Sequence, residues 1–282
     1  MRIPTKNILF CSFLLFLSCS NGTNNNSDSK NDTIQTNATI SIGADTARAQ
    51  QLRSSATAQS VYEITACCKK LDSFSAEVQE QDFAGTGNLM DSIKKINKKI
   101  TSLIIHHPQD DEHNFVELLK ANTDIRITTS ANGALTFYTW SDAPVSQTLF
   151  STATIVSYSA DKKRIIKPFN DGNSIDTVYT IMLDGRQICL IASSSTIGSA
   201  HIVNKINAYE ITGDKLVAVK KIFGRNGRRY DDLNFEYFLN TKIDGEPGFR
   251  IDDSKNLVFM PIITKGLDSV AGERDYVISL PR

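Results

Sequence analysis

A chain of 282 residues allows one sizeable domain or two small ones, and 40% hydrophobic with 22% charged side chains is the balance of an ordinary folded protein. Lys and Arg together number 31 and so do Asp and Glu, so there is no basic field to attract nucleic acid, which is excluded as a partner. No apolar run approaches the ~20 residues that a membrane-spanning helix needs.

The chain opens with Arg2 and Lys6 ahead of an apolar run from Ile8 to Leu17. That is the charged start and short hydrophobic stretch of a secretory signal. The run ends Leu15-Phe16-Leu17-Ser18-Cys19-Ser20. Apolar residues, a small residue at the cut and then cysteine resemble the lipobox of bacterial lipoproteins, in the relaxed form found in the Bacteroidota. The resemblance covers about twenty residues and implies cleavage after Ser18 and lipid on the Cys19 thiol and amine. Two or more acyl chains, at ~0.8 kcal/mol per buried methylene, make a stable membrane anchor. Ser20 rather than Asp after the cysteine implies the outer membrane, with either face open.

Removing residues 1–18 takes Arg2 and Lys6 from the 31 basic residues and no acid, leaving 29 against 31 and a formal charge of −2. Of five cysteines, Cys11 leaves with the signal and Cys19 carries lipid. Cys67, Cys68 and Cys189 are expected as small buried apolar residues, with a disulfide from Cys189 to Cys67 or Cys68 left open. Residues 19–43 are rich in Ser, Asn, Thr and Asp and hold no aromatic residue, too little apolar surface to offset the entropy of ordering. They are expected to be a disordered tether.

Residues 44–122 predict a helical region. Ala44 to Glu80 holds no Pro or Gly, and Val61, Ile64, Cys68, Leu71 and Val78 recur at helical steps. Past Gly85 and Gly87, Leu89, Met90, Ile93, Ile96, Ile100, Leu103 and Ile104 form one stripe, with Lys94, Lys95, Lys98 and Lys99 off it. Two such helices across a short glycine-rich turn predict an antiparallel hairpin. A short third helix is expected from Asp110 as cap, carrying Phe115, Leu118 and Leu119.

From Asp124 the period changes to two, and residues 123–282 predict a large antiparallel β-domain. Ile125–Thr129, then Ser130-Ala131-Asn132-Gly133, then Leu135–Trp140 form the first unit, with Asn-Gly as the hairpin signal. Further runs are Thr152–Tyr158, Val178–Met182, Gln187–Ala192, Ile206–Ile211, Leu216–Phe223, Asn234–Leu239, Asn256–Ile262 and Tyr276–Leu280. Asp184-Gly185 and Gly213-Asp214 mark turns between them. The eleven residues Ser130–Trp140 resemble the turn-and-strand unit of β-propeller blades, but no blade-length repeat follows. The expected fold class is α+β: a helical hairpin followed by a meander, sandwich or open barrel, in preference to a propeller.

Catalytic signatures are sparse. His106-His107-Pro108-Gln109-Asp110-Asp111-Glu112-His113 gathers imidazoles and carboxylates, but Pro108 breaks the helical spacing of a zinc site. Cations ending one helix and anions starting the next account for it better. Ser193-Ser194-Ser195-Thr196 before His201 lacks a nucleophile elbow and reads as a polar loop. Asp171-Gly172-Asn173-Ser174-Ile175-Asp176 lacks the register of a calcium loop and reads as a turn. No catalytic residue, metal or cofactor is therefore assigned. Arg225, Arg228, Arg229 and Tyr230, beside Lys220 and Lys221, form a basic cluster that suits an anionic ligand, and Trp140 suits stacking on a sugar ring. The expectation is a lipid-anchored cell-envelope protein of the outer membrane, a non-catalytic module for a protein or glycan partner. An envelope hydrolase with a dispersed site is the second expectation.

Overall fold

The computed structural model describes residues 38–80, 87–107, 111–146, 149–161, 163–169, 173–197, 200–238, 247–264 and 269–280. The signal segment, Ser18, Cys19 and most of the expected tether lie outside them, as do Pro108 to Asp110 and Asp171-Gly172. The chain is α+β: three helices precede fourteen strands among the described residues, and every strand pairing is antiparallel.

Helix α1 spans Ala38–Glu80, α2 Gly87–His106 and α3 Glu112–Asn122. The start of α1 precedes the expected one by six residues, since Ala38 to Gly43 carries no proline to stop the helix extending backwards. The α2 stripe buries Ile93, Asn97, Ile100 and Ile104. They join Val61, Ile64, Cys67, Leu71 and Val78 of α1 and Phe115 and Leu119 of α3 in one cluster. Lys99 of α2 meets Glu63 of α1 at 3.0 Å on its rim. The cap position of α3 is held by Asp111 rather than Asp110, and it makes no side-chain cap bond. Its Oδ2 instead accepts from Asn114 at 3.2 Å.

The strands are β1 Arg126–Thr129, β2 Leu135–Ser146, β3 Leu149–Ala160, β4 Lys163–Pro168, β5 Ser174–Leu183, β6 Arg186–Ile197 and β7 His201–Thr212. There follow β8 Lys215–Ala218, β9 Phe223–Arg225, β10 Arg228–Tyr230, β11 Asp232–Phe238, β12 Arg250–Asp252, β13 Leu257–Ile263 and β14 Val270–Ile278. They make three open sheets. A helix-side sheet has the order β1-β2-β3-β4, a middle sheet β11-β7-β6-β5, and an outer sheet β10-β9-β14-β13-β12. Among the described residues none closes into a barrel. Strand β8 shares the outer edge of β7 with β11: it pairs residues 209–212, while β11 pairs residues 201–207.

The sheets stack as layers, and side-chain parity shows it. In β2, Tyr138 and Trp140 face the helical cluster while Leu135 and Phe137 face the middle sheet. In β6, Cys189 and Ile191 meet the helix-side sheet, whereas Ile188, Leu190 and Ala192 meet the outer sheet. An antiparallel sheet usually keeps one face wet. Two sheets here are covered on both faces over much of their length, which is why Leu135–Trp140 is buried without interruption. Removing each fully buried Ile or Leu from water contributes about 1.5–3 kcal/mol. Residues 46–282 form one compact unit, so α1 from Thr46 onward, α2, α3 and the sheets share it.

Two local features follow from backbone chemistry. Asp184 and Gly185 both have positive φ, 50° and 77°, the mirror-image turn whose twist suits a two-residue hairpin, and β5 runs directly into β6. Pro261 sits inside β13, opposite Glu273 of β14, but β12 pairs only as far as Phe259. Among the described residues nothing pairs with that side of β13 beyond Phe259, and a residue without N–H is tolerated at such an edge. The expected run Leu216–Phe223 is divided between β8 and β9, with Lys221 at φ 53° between them.

Candidate functional site

The middle sheet changes character toward the end away from the Asp184-Gly185 turn. On the face that meets the outer sheet, β6 runs Ile188, Leu190, Ala192 and then Ser194. The same face of β7 runs Ala208, Ile206 and then Asn204. Ser194 lies directly opposite Asn204, and Asn204 opposite Phe235 of β11. Polar side chains thus replace apolar ones where the sheet runs past its core. A cleft of about 380 Å³ opens there, lined by Arg126, Asp176, Tyr179, Ser194, Asn204 and Tyr237 among others, with Pro247-Gly248-Phe249 across it.

Asp176 owes its position to a β-bulge. The register of β5 against β6 shifts between Ile175 and Thr177, so Asp176 is the extra residue, and a bulge re-aims the side chain it carries. The Ile175 carbonyl beside it accepts a bond from the Thr128 hydroxyl of β1 at 3.0 Å. Asp176 Oδ1 accepts from Arg126 Nη1 at 2.9 Å and from Ser194 Oγ at 3.0 Å. Arg126 belongs to the helix-side sheet, so this ion pair ties two sheets together. Its partners are 50% and 27% exposed, and such a pair contributes at most about 1 kcal/mol. Its larger effect is to hold a neutral pair of opposite charges at the cleft.

The aromatic side chains of the wall pack on one another. Phe249 packs edge-on against Phe235 at 5.1 Å, and Phe235 lies 6.3 Å from Tyr237. The Tyr179 hydroxyl donates to the Phe249 carbonyl at 3.2 Å, and burial pushes its pKa up. Asn204 is 9% exposed, yet its Nδ2 finds no hydrogen-bond partner among the described residues. A buried amide donor left unsatisfied costs about 1–3 kcal/mol, and in a polar cleft it is a group waiting for an acceptor.

The residues singled out by sequence fall elsewhere. Trp140 is 6% exposed, and its Nε1–H donates to Asn97 Oδ1 at 2.8 Å. It lines a second cleft, of about 330 Å³, with Thr101, Asp142 and Phe169. Burial pushes up the Asp142 carboxyl. Trp140 is a core residue joining α2 to the helix-side sheet. Arg225, Arg228, Arg229 and Tyr230 lie on the β9–β10 hairpin of the outer sheet. Arg229 Nη1 donates to the carbonyls of Lys221, Ser279 and Leu280 at 3.2, 2.9 and 3.4 Å. Arg225 and Tyr230 both pack on Tyr276. Arg229 thus secures backbone near the end of β14, Arg228 is exposed, and the hairpin and Trp140 are on opposite sides of the middle sheet.

Within the histidine-rich segment, His107 is taken up by packing. His107 is buried, stacks on Phe115 at 3.7 Å, and has Nδ1 2.7 Å from the Ile104 carbonyl. A carbonyl only accepts, so Nδ1 carries the proton and Nε2 accepts from Arg164 Nη1 at 3.3 Å. Arg164 also donates to Ser157 Oγ at 2.7 Å and pairs with Glu112, which accepts from the Tyr138 hydroxyl at 3.2 Å. Burial pushes the His107 pKa down to about 4 and the Tyr138 phenol well above its ordinary range. His106 Nδ1 bonds the Ser102 carbonyl at 2.7 Å, and His113 is exposed.

Two sequence readings are corrected. Ser193 to Thr196 is not a loop but the continuation of β6, paired with β7 as far as Ile197. Ser174 to Asp176 belongs to β5 rather than to a turn. Backbone pairing overrode the loop preference of serine because β7 supplied a full ladder. All three described cysteines are free. Cys67 lies in the helical cluster and Cys189 between the helix-side and middle sheets, so a sheet separates them. Comparison with protein-family models, curated proteins and solved structures finds no match to this chain.

Proposed function

We propose that the protein is a lipid-anchored module of the cell envelope, held at the outer membrane through Cys19, which binds a protein or glycan without transforming it. The observation that carries the binding half is the polar cleft at the end of the middle sheet, with the buried and unpartnered Asn204 amide in it. Its size sits at the small end of ligand sites, and it combines aromatic walls with a few convergent polar groups. Hydrolysis would need a nucleophile beside an oriented base. The Asp176 carboxylate is engaged by Arg126 and Ser194, and His201, which meets Glu236 at 2.9 Å, points from the face of β7 opposite to Ile202 and Asn204. That arrangement favours holding a ligand over attacking one.

The anchor half rests on the lipobox resemblance, and no helix among the described residues is long and apolar enough to cross a membrane. Cross-linking and pull-down from intact cells tests both halves, run beside Cys19→Ala and Asn204→Leu. The expected result is an enriched protein or glycan that disappears with either change. A mature protein that carries no lipid refutes the anchor, and enrichment indifferent to Asn204→Leu refutes the cleft.

A further inference from the structure

Resting on the cleft as a binding site, we infer that its ligand is an uncharged sugar. The first observation is charge. The only described ionisable side chains lining the cleft, apart from tyrosine, are Arg126 and Asp176, and they pair with each other at 2.9 Å. An anion entering would gain Arg126 but meet Asp176, and a cation would meet the reverse, so neither sign is favoured. A neutral ligand leaves the pair intact.

The second observation is the pattern of hydrogen-bonding groups. Ser194 Oγ donates to Asp176 and the Tyr179 hydroxyl to the Phe249 carbonyl, so each oxygen keeps acceptor capacity for an incoming hydroxyl, that of Tyr179 shared with the Thr177 side chain. Asn204 Nδ2 supplies the opposite, a donor without an acceptor. Acceptors and a donor lying along one row of the sheet, Ser194 against Asn204, match adjacent hydroxyls, each of which both donates and accepts.

The third is the wall. Tyr179, Tyr237 and Phe249 line the same space, and aromatic side chains present apolar faces alongside polar tips. A pyranose ring has the same division, C–H groups on its faces and hydroxyls round its rim. An apolar ligand would leave Asn204 unsatisfied, and a flexible charged chain would break the ion pair.

The test uses the full-length protein purified in detergent. D-glucose, D-galactose, D-mannose and N-acetylglucosamine are titrated by calorimetry beside glucuronate and glucosamine, and each titration is repeated with Asn204→Leu and Asp176→Asn. The expected result is a neutral sugar binding below about 10 mM, weakened at least tenfold by Asn204→Leu. The same change should leave the melting temperature unchanged or raised, because it removes an unsatisfied buried donor. Asp176→Asn should shift preference toward glucuronate. Binding of glucuronate or glucosamine in preference to every neutral sugar, abolished by Asn204→Leu, overturns the sugar's neutrality and keeps the cleft as a site. No binding by any probe, with the melting temperature of Asn204→Leu unchanged or raised, overturns the sugar class alone. No binding together with a lowered melting temperature overturns both, since Asn204 would then serve the fold.

Discussion

Replacing Arg164 by Met should destabilise the contact between the helices and the helix-side sheet, since Arg164 of β4 pairs with Glu112 of α3. The Arg164 side chain is only 9% exposed and meets Glu112, Ser157 and His107 at once. The substitution keeps the volume of the stem but removes every donor. Breaking a buried ion pair from one side costs about 3–5 kcal/mol, because the remaining charge is stranded. Glu112 is 32% exposed and keeps the Tyr138 hydroxyl, so water relieves part of that and about 2–4 kcal/mol remains. For a unit of this size each kcal/mol lowers the melting temperature by about 2–4 °C. Urea unfolding followed by fluorescence is the assay. Trp140 is the one tryptophan of the chain and sits in the helix–sheet core, so its emission reports this interface. The midpoint should fall with the slope unchanged. Glu112→Gln should cost less, and the double variant should be less damaged than the two losses added, with a coupling of about 1–3 kcal/mol. A loss below about 0.5 kcal/mol for Arg164→Met, which is within the ordinary surface range, would refute the claim that this cluster fastens the helices to the sheet.

Other outcomes follow from the same geometry. His107 is a base whose pKa falls from 6.5 to about 4 on folding, so between those values the unfolded chain binds a proton that the folded one refuses. Stability should therefore fall as pH drops from 6.5 toward 4, by up to about 1.4 kcal/mol per unit, and His107→Gln should flatten that slope in unfolding curves taken across the window. Trp140→Phe should cost about 1–3 kcal/mol, since it strands the buried Asn97 carbonyl oxygen; a neutral result in thermal melts would show that this bond is idle. Gly185→Ala should destabilise by about 1–2 kcal/mol, because φ is 77° in the turn joining β5 to β6, measured as a shifted denaturation midpoint. Arg228→Ala should stay within about 0.5 kcal/mol of the parent, whereas Arg229→Ala, which releases three carbonyls, should cost about 1 kcal/mol; equal effects in parallel melts would contradict the role given to Arg229.

Local chemistry made much of the architecture legible. The α2 stripe carried a period that only a helix satisfies, and burial of Ile93, Ile100 and Ile104 follows it. Asp184-Gly185 named a hairpin that forms with the backbone signs expected of it. Asn132-Gly133 marked a turn as well, but a wider one: Thr129 pairs with Thr136, and Ser130 and Asn132 side chains bond each other and the intervening backbone. Asn97 was invisible because a polar residue on an apolar stripe looks like a gap until Trp140 arrives from 43 positions away. Strand β4 carries little strand signal because Lys163-Arg164-Ile165-Ile166-Lys167-Pro168 opens on two charges, ends on Lys-Pro, and has one adjacent apolar pair in place of alternation.

The cleft was not legible at all. Its polar residues come from β1, β5, β6 and β7, each an ordinary Arg, Asp, Ser or Asn in its own segment. Serine's preference for loops pointed away from Ser194, and the acids near Asp171 suggested a turn where a bulge in β5 re-aims Asp176. What the sequence by itself determined was the class of most segments, the helices first and the antiparallel β-region after them, since periodicity, turn chemistry and composition act over a few neighbouring residues. It likewise carries the address proposed at Cys19, whose signal is local. What only the tertiary structure decided was which faces meet: that two sheets are covered on both sides, that Arg164 reaches Glu112, and that the Asn204 amide finds no partner among the described residues in the cleft it shares with Asp176. Those outcomes depend on contacts between residues distant along the chain, where the energy of a group is set by what folding brings against it rather than by its neighbours in sequence.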